Sequence, residues 1–186
     1  MTLESYNTKG YDTLRTAKEL AMQLVSGSEK VKWLTILSES DRGKTHLAIG
    51  ICRKWLEKGL AAKYAFVPDF LMDLRAGYDS PDEGYSFTRL MQVATTVPLL
   101  VLDDLGTERP TEWAIEQLQI IIHKRGVEGL PLVVTSNKRL NCIVGNEKEN
   151  RELASMRIAS RLQRESWCHV VVLDDSPEHR LWNGGK

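Results

Sequence analysis

Val97-Pro-Leu-Leu-Val-Leu-Asp-Asp-Leu-Gly-Thr-Glu-Arg109 decides the fold. Its apolar run, Leu99 to Leu102, is long enough for one buried strand and delivers two adjacent carboxylates, Asp103 and Asp104, at its C-terminal end. A strand without polar alternation belongs in a sheet covered on both faces, and acids at its carboxyl end mark the ligand crevice of an open α/β sheet. Upstream, Arg42-Gly-Lys-Thr45 follows a second short apolar run, Trp33 to Leu37. Together the two segments read as halves of a nucleoside triphosphate site, a phosphate-cradling loop and a metal-organising acid.

Composition narrows the class. A chain of 186 residues suits one domain. Its 42% hydrophobic and 27% charged content is that of a soluble globular protein. Twenty-five basic side chains balance twenty-five acidic ones, so any contact with nucleic acid depends on a local patch. No apolar run approaches the ~20 residues that span a bilayer, so no membrane partner is expected. Met1-Thr-Leu-Glu4 lacks the basic start of a secretory signal. Cys52, Cys142 and Cys168 match neither a disulfide framework nor a zinc site. Read as small buried hydrophobes, they suit a cytoplasmic protein.

Periodicity places the other elements. Leu14, Ala17, Leu20, Ala21 and Leu24 predict a helix from Asp12 to about Val25, with Asp12 or Thr13 as its N-cap. Trp33 to Leu37 is a strand, and a helix from Lys44 to Lys58 stops at Gly59. Ala62 to Phe66 reads as a strand, Pro68 to Arg75 as a helix and Gly77 to Gly84 as a polar surface loop. Phe87 to Val93 is helical. Thr111 to Arg125 is a helix with Glu112 and Glu116 near its positive end and Lys124 and Arg125 near its negative end. Leu132 to Thr135 is a strand, Asn150 to Arg164 a helix and His169 to Leu173 the last strand. This alternation implies a three-layer α/β fold with a mostly parallel five-stranded sheet. It reads as one domain: a helical lead-in over residues 1–30, a phosphate-loop core over 31–173 and a short tail over 174–186.

The phosphate loop departs from the pattern G-x-x-x-x-G-K-[ST] in an informative way, reading Ser38-Glu-Ser-Asp-Arg-Gly-Lys-Thr45. Gly43 lets the backbone approach a phosphate, Lys44 supplies a point charge, Thr45 a hydroxyl for magnesium, and the following helix its N-terminal amides. Ser38 stands where glycine is usual and costs about 1 kcal/mol if the loop demands positive φ there. Asp41 sets a carboxylate ~6 Å from a phosphate, a repulsion of about 3 kcal/mol per unit charge at an effective dielectric near 20. Arg42 beside it, or an outward Asp41 rotamer, offsets that. His46 completes the loop segment and reads as helix packing before metal ligation.

Gly43-Lys-Thr-His-Leu-Ala48, Val67-Pro-Asp-Phe-Leu-Met-Asp-Leu-Arg75, Leu102-Asp-Asp-Leu-Gly-Thr-Glu108, Thr111-Glu-Trp113, Val134-Thr-Ser-Asn137 and Ile158-Ala-Ser-Arg-Leu162 occur in this order. The set resembles the AAA+ ATPases of the bacterial helicase-loader group (DnaC and DnaI type) and the related IstB-like ATP-binding proteins. The resemblance implies a P-loop AAA+ fold without a complete C-terminal helical lid, and ATP or ADP with Mg2+ as cofactors. It assigns Ser38, Asp41, Arg42, Gly43, Lys44, Thr45 and His46 to the nucleotide-binding segment, and Thr45 and Asp103 to the metal. Asp104 falls where most such proteins carry the Glu that polarises the attacking water. One methylene shorter, it implies slow hydrolysis. Asn137 matches the polar sensor at a strand tip, and Arg161 the arginine finger that completes a neighbouring subunit's site.

Read without the resemblance, Asn137 caps a turn before Leu140, and Arg161 belongs to a solvated basic face with Arg151, Arg157 and Arg164. Phe70, Arg75 and Tyr78 lie on the helix that lines the single-strand face in initiator-type relatives of the family. Aromatic and basic residues together suit stacking and backbone neutralisation, against which Asp69, Asp73 and Asp79 act, and a helix packed on its own sheet explains Phe70 and Leu71 equally well.

Three functions follow from the resemblance and its departures. The first is a slowly hydrolysing ATPase that loads a replicative hexameric DNA helicase in DNA replication, with self-association on ATP and single-stranded DNA as further partners. The second is an IstB-like transposition ATPase. The third is a degenerate nucleotide-binding switch without turnover, which Ser38, Asp41 and Asp104 support.

Overall fold

The computed structural model describes residues 1–8, 10–79, 86–107, 111–143 and 149–173. Within them helix and strand alternate: α1 (Asp12–Ser26), β1 (Trp33–Leu37), α2 (Lys44–Glu57), β2 (Ala62–Phe66), α3 (Val67–Asp79), α4 (Phe87–Thr96), β3 (Leu99–Asp103), α5 (Glu112–Glu128), β4 (Leu132–Ser136), α6 (Glu149–Gln163) and β5 (Cys168–Val172). The strands form one sheet in the order β2-β3-β4-β1-β5, and every pairing is parallel. β1, β3 and β4 are buried along their whole length, as the absence of polar alternation in their sequences demands, whereas the edge strands β2 and β5 are partly exposed.

Period-two alternation divides the core between the two faces of the sheet. Leu34, Ile36, Leu99, Val101 and Val133 pack under α1 and α2. Trp33, Leu37, Leu100, Leu102, Leu132 and Val134 pack under α3, α5 and α6. The result is the expected three-layer α/β arrangement. Ahead of α1, Leu3 and Tyr6 are buried against the α2 side. No helix among the described residues is long and apolar enough to cross a membrane.

Several expectations are corrected. Tyr11, in extended conformation, is the N-cap of α1 without a side-chain cap bond, and Asp12 already lies inside the helix, its carboxylate accepting from Arg15 at 2.8 Å. α3 does not stop at Arg75: the buried face of Val67, Phe70, Leu71 and Leu74 continues to Gly77, which lies inside the helix. The rest of the expected loop, residues 80–85, lies outside the described residues, as do Glu108, Arg109, the tail over 174–186 and with it the reading of the lid. Of the cysteines only Cys52 is buried, and Cys142 is exposed.

Arg125 lies in the last turn of α5, as expected, but does more than face the helix dipole. It is fully buried, and its guanidinium donates to the carbonyls of Ala94 at 3.0 Å, Pro131 at 2.6 Å and Pro98 at 3.4 Å. Burial pushes its pKa down to about 10, so it stays charged at neutral pH. The side chain ties α4, α5 and the starts of β3 and β4 together. Arg125→Ala is expected to cost about 3 kcal/mol or more in urea denaturation, because it leaves a cavity and unpaired carbonyls. A loss below about 1 kcal/mol would show that water replaces the guanidinium at no cost.

Candidate nucleotide site

Strand alternation assembles this site. Asp103 lies two residues beyond Val101, so its carboxylate leaves the sheet on the face that α2 covers. Leu102 pairs with Val134, which sets Thr135 beside Asp103 on that face. Tyr64 of β2, packed against the same core, approaches from the other side. α2 starts at Lys44 directly above, and a cleft of about 590 Å³ opens between them. Its walls are the loop from Ser40 to Gly43, then Lys44, Thr45 and His46, with Tyr64, Asp103, Asp104 and Asn137 opposite.

Asp103 is the centre of the polar network and only 2% exposed. Thr45 donates its hydroxyl to both carboxylate oxygens, at 3.1 and 3.3 Å. Tyr64 donates to Oδ2 at 2.5 Å and Thr135 to Oδ1 at 2.6 Å. Burial and the bond to Asp103 hold the Tyr64 phenol above its ordinary pKa, so it keeps its proton. Asp104 adopts a left-handed backbone with φ of 62°. Its N–H donates to Thr135 Oγ1 at 2.9 Å, and its Oδ1 accepts from Asn137 Nδ2 at 2.9 Å. Asn137 therefore faces the second acid. The local turn is capped by Ser136, whose Oγ accepts from the Lys138 N–H at 3.0 Å. Gly106, at φ of 95°, passes so close to the Ile143 carbonyl that a Cβ would stand 2.1 Å from its oxygen.

Ser38 is not among the positive-φ residues, so the strain expected there does not arise. It falls on Asp41, at φ of 61°, a backbone that aspartate tolerates better than most residues. The Asp41 side chain is exposed at the mouth of the cleft. Lys44 is buried, and its ammonium donates to the carbonyls of Ser38 at 3.0 Å and Glu39 at 2.7 Å, and to Ser38 Oγ at 3.0 Å. The hydroxyl of Ser38 thus adds an acceptor for Lys44 that glycine would lack. Arg42 leans on Glu39 at 3.7 Å rather than on Asp41, and its buried Nε has no partner. His46 Nε2 lies 3.0 Å from the Thr2 carbonyl and 3.2 Å from Ser5 Oγ, and its ring meets Tyr6 edge-on. Tyr6 closes over the loop, where a Cβ on Gly43 would stand 3.2 Å from its ring.

This donor set fits a nucleotide with magnesium. The orphaned Arg42 N–H, the Lys44 ammonium and the first amides of α2 suit an anion. Among the described residues no three His, Cys, Asp or Glu side chains gather into a metal cage. A magnesium would be held by Thr45 and Asp103 together with phosphate oxygens and water, as that ion prefers.

Four of the singled-out residues lie elsewhere. Arg161 lines a separate groove with Trp33, His123 and Trp167, at the start of β1, the opposite end of the sheet from the cleft and about 13 Å of strand away. Arg75 and the exposed Tyr78 lie on α3, with Tyr78 packed edge-on to Phe87. Phe70, on the same helix, is 4% exposed and belongs to the core, so the expectation that it contacts DNA is corrected. Tyr64 and Thr135 went unnoticed in the sequence because neither belongs to a phosphate motif. Both share the face of Asp103 only through the register of β2 and β4 on β3, which the sequence does not give.

The profile of the IstB-like ATP binding protein family matches residues 2–176. YqaM of Bacillus subtilis is 26% identical over 173 residues, covering 87% of this chain and 51% of its own. The replicative helicase loader DnaC of Escherichia coli is 24% identical over 139 residues, covering 75% of this chain and 53% of its own. The chain thus spans about half the length of these curated relatives. Among solved structures, the DnaI crystal structure superposes with a TM-score of 0.77 at 21% identity, over 96% of this chain and 90% of that one, which speaks for a shared P-loop AAA+ fold.

The geometry of Asp41 generates a direct test. Asp41→Gly removes both the left-handed strain and a like charge at the mouth of the cleft. ATP affinity measured by calorimetry is expected to rise about fivefold, equivalent to about 1 kcal/mol. An unchanged affinity would show that the exposed carboxylate and its backbone are already neutral to the phosphates.

Proposed function

This chain belongs to the family of IstB-like ATP-binding proteins, and on that premise we propose that it is a magnesium-dependent, slowly hydrolysing ATPase that helps load a replicative DNA helicase. The observation that carries the reading is the bond from Thr45 to Asp103, which joins the phosphate loop to the acid-tipped strand in one cleft. With its proton given to Asp103, the Thr45 oxygen keeps its lone pairs for a cation. Lys44 leaves the loop carbonyls for the phosphates, the exchange of one set of acceptors for a more charged one. A bound magnesium would supply charge neutralisation and hold phosphate oxygens in place. Asp104 orients the attacking water and accepts its proton, while Asn137, bonded to Asp104, aligns the acid. Asp104 is short and held in a left-handed turn, so hydrolysis is slow.

The helicase as partner is supported by the likeness to DnaC. Residues 1–186 are read as one such module, with Arg75 and Tyr78 as its contacts to single-stranded DNA. The matching family profile favours a second reading, a transposition ATPase with the same chemistry and a different partner. The locked Asp104–Asn137 pair favours a third, a switch that binds nucleotide without turnover. ATP-dependent capture of a purified hexameric helicase, set against capture of a transposase, separates the first from the second. Phosphate release with saturating ATP separates both from the third.

Lys44→Ala is expected to weaken ATP binding about thirtyfold or more in calorimetry, the loss of about 2 kcal/mol from a charge-assisted contact. No nucleotide binding by the wild-type chain at millimolar ATP would sink the whole reading.

Arg161, on the far side from its own cleft, is read as completing the site of a second copy. A finger of this kind is worth ~10³-fold or more in rate. Arg161→Ala should therefore suppress turnover and leave monomer ATP affinity nearly intact. Mixing Arg161→Ala with Asp104→Asn should restore part of the activity, because one interface then pairs an intact site with an intact finger. Turnover linear in protein down to the dilute monomer, and indifferent to Arg161→Ala, would rule the arrangement out.

A further inference from the structure

Asp103 is held most tightly by two residues outside the phosphate motifs. The bonds from Tyr64 and Thr135, at 2.5 and 2.6 Å, are shorter than the forked bond from Thr45 at 3.1 and 3.3 Å. They come from β2 and β4, the strands on either side of β3, and each takes one carboxylate oxygen. At 2% exposure the carboxylate has almost no water to orient it, so these hydroxyls set its direction. Thr135 does more. Its oxygen accepts the Asp104 N–H at 2.9 Å while its single proton goes to Asp103, so one hydroxyl aligns both acids and braces the left-handed turn between them.

We propose that Tyr64 and Thr135 are positioning residues, a hydroxyl clamp that holds Asp103 in the orientation a divalent cation needs at the nucleotide site. The inference deepens the nucleotide reading above and rests on it. Groups that hydrogen-bond a metal-ligating side chain fix its direction, and their loss weakens metal binding about 10- to 100-fold. Tyr64→Phe removes only the phenolic oxygen and keeps the ring packed on α2. Thr135→Val keeps the shape and deletes both hydrogen bonds, while Thr135→Ser keeps the hydroxyl.

The test titrates MgCl2 into the chain at fixed concentration of a fluorescent ATP analogue, with a parallel measurement in EDTA and a thermal melt of each variant. Tyr64→Phe and Thr135→Val are expected to raise the magnesium midpoint about tenfold. Affinity in EDTA should stay within about twofold of wild type, and Thr135→Ser should restore the wild-type midpoint; a purely structural role would not separate the metal-dependent from the metal-free affinity. The clamp is overturned if folded Tyr64→Phe leaves the midpoint in place, or if EDTA affinity falls in step with it. Should Tyr64→Phe fail to fold, equal midpoints for Thr135→Val and Thr135→Ser overturn it instead. A wild-type chain that binds the analogue equally well in EDTA and in magnesium fails at an earlier point: it overturns the magnesium reading, visibly before any variant is made.

Discussion

A carboxylate inside a protein must be hydrogen-bonded or it costs several kcal/mol, and Asp103 sits under that constraint at the end of a central strand. Its donors come from three different elements, Tyr64 on β2, Thr135 on β4 and Thr45 at the start of α2. None of these three donors is a charged group, so none of them forms an ion pair with the carboxylate. The strand order serves this arrangement directly. β3 must lie between β2 and β4 for both hydroxyls to reach it, and β4 must lie beside β1 for the phosphate loop to stand over the acids.

Local rules of backbone conformation are broken at the cleft more than elsewhere. The two non-glycine residues with positive φ among the described residues are Asp41 and Asp104, one on each side of it. Aspartate is among the few residue types that bear this conformation at modest cost, which gives a physical sense to Asp at both positions. At Asp104 the longer Glu would fit the usual chemistry better and the backbone worse. Strain of this kind persists only where surrounding bonds over-determine it, and Thr135 and Asn137 do so here. Within the loop Lys44 is held by Ser38 and Glu39 and Tyr6 closes on Gly43, while the Arg42 Nε is left without a partner.

The two ends of the sheet carry different chemistry. The carboxyl ends of β1, β3 and β4 gather the acids, the loop and the sensor-like Asn137. The opposite end carries Arg161 among Trp33, His123 and Trp167. The proposed role of Arg161 in a second copy's site, which the resemblance implies, is compatible with this separation.

Sequence alone determined the layers and the phosphate loop. Runs such as Leu99 to Leu102 and Trp33 to Leu37 have no polar alternation, so they can only be central strands, and Gly43-Lys-Thr45 before an amphipathic helix carries its own chemistry. Asp103, Asp104, Lys44, Thr45 and Asn137 were legible for the same reason: each lies next to a strand end that local pattern already marks. What local pattern left open was equally specific. Phe70 could be read as a DNA contact beside Arg75 and Tyr78 or as packed on its own sheet, and the i, i+3, i+4 face of Val67, Phe70, Leu71 and Leu74 decides for the sheet. Arg125 lies in the last turn of α5, as read, but its burial and its bonds to the carbonyls of Ala94, Pro98 and Pro131 could not be read locally. Tyr64, Thr135 and the place of Arg161 were decided only by tertiary structure. Which hydroxyl meets which carboxylate depends on strand order and register, and those are set by contacts between residues 32 to 135 positions apart, which no local pattern records.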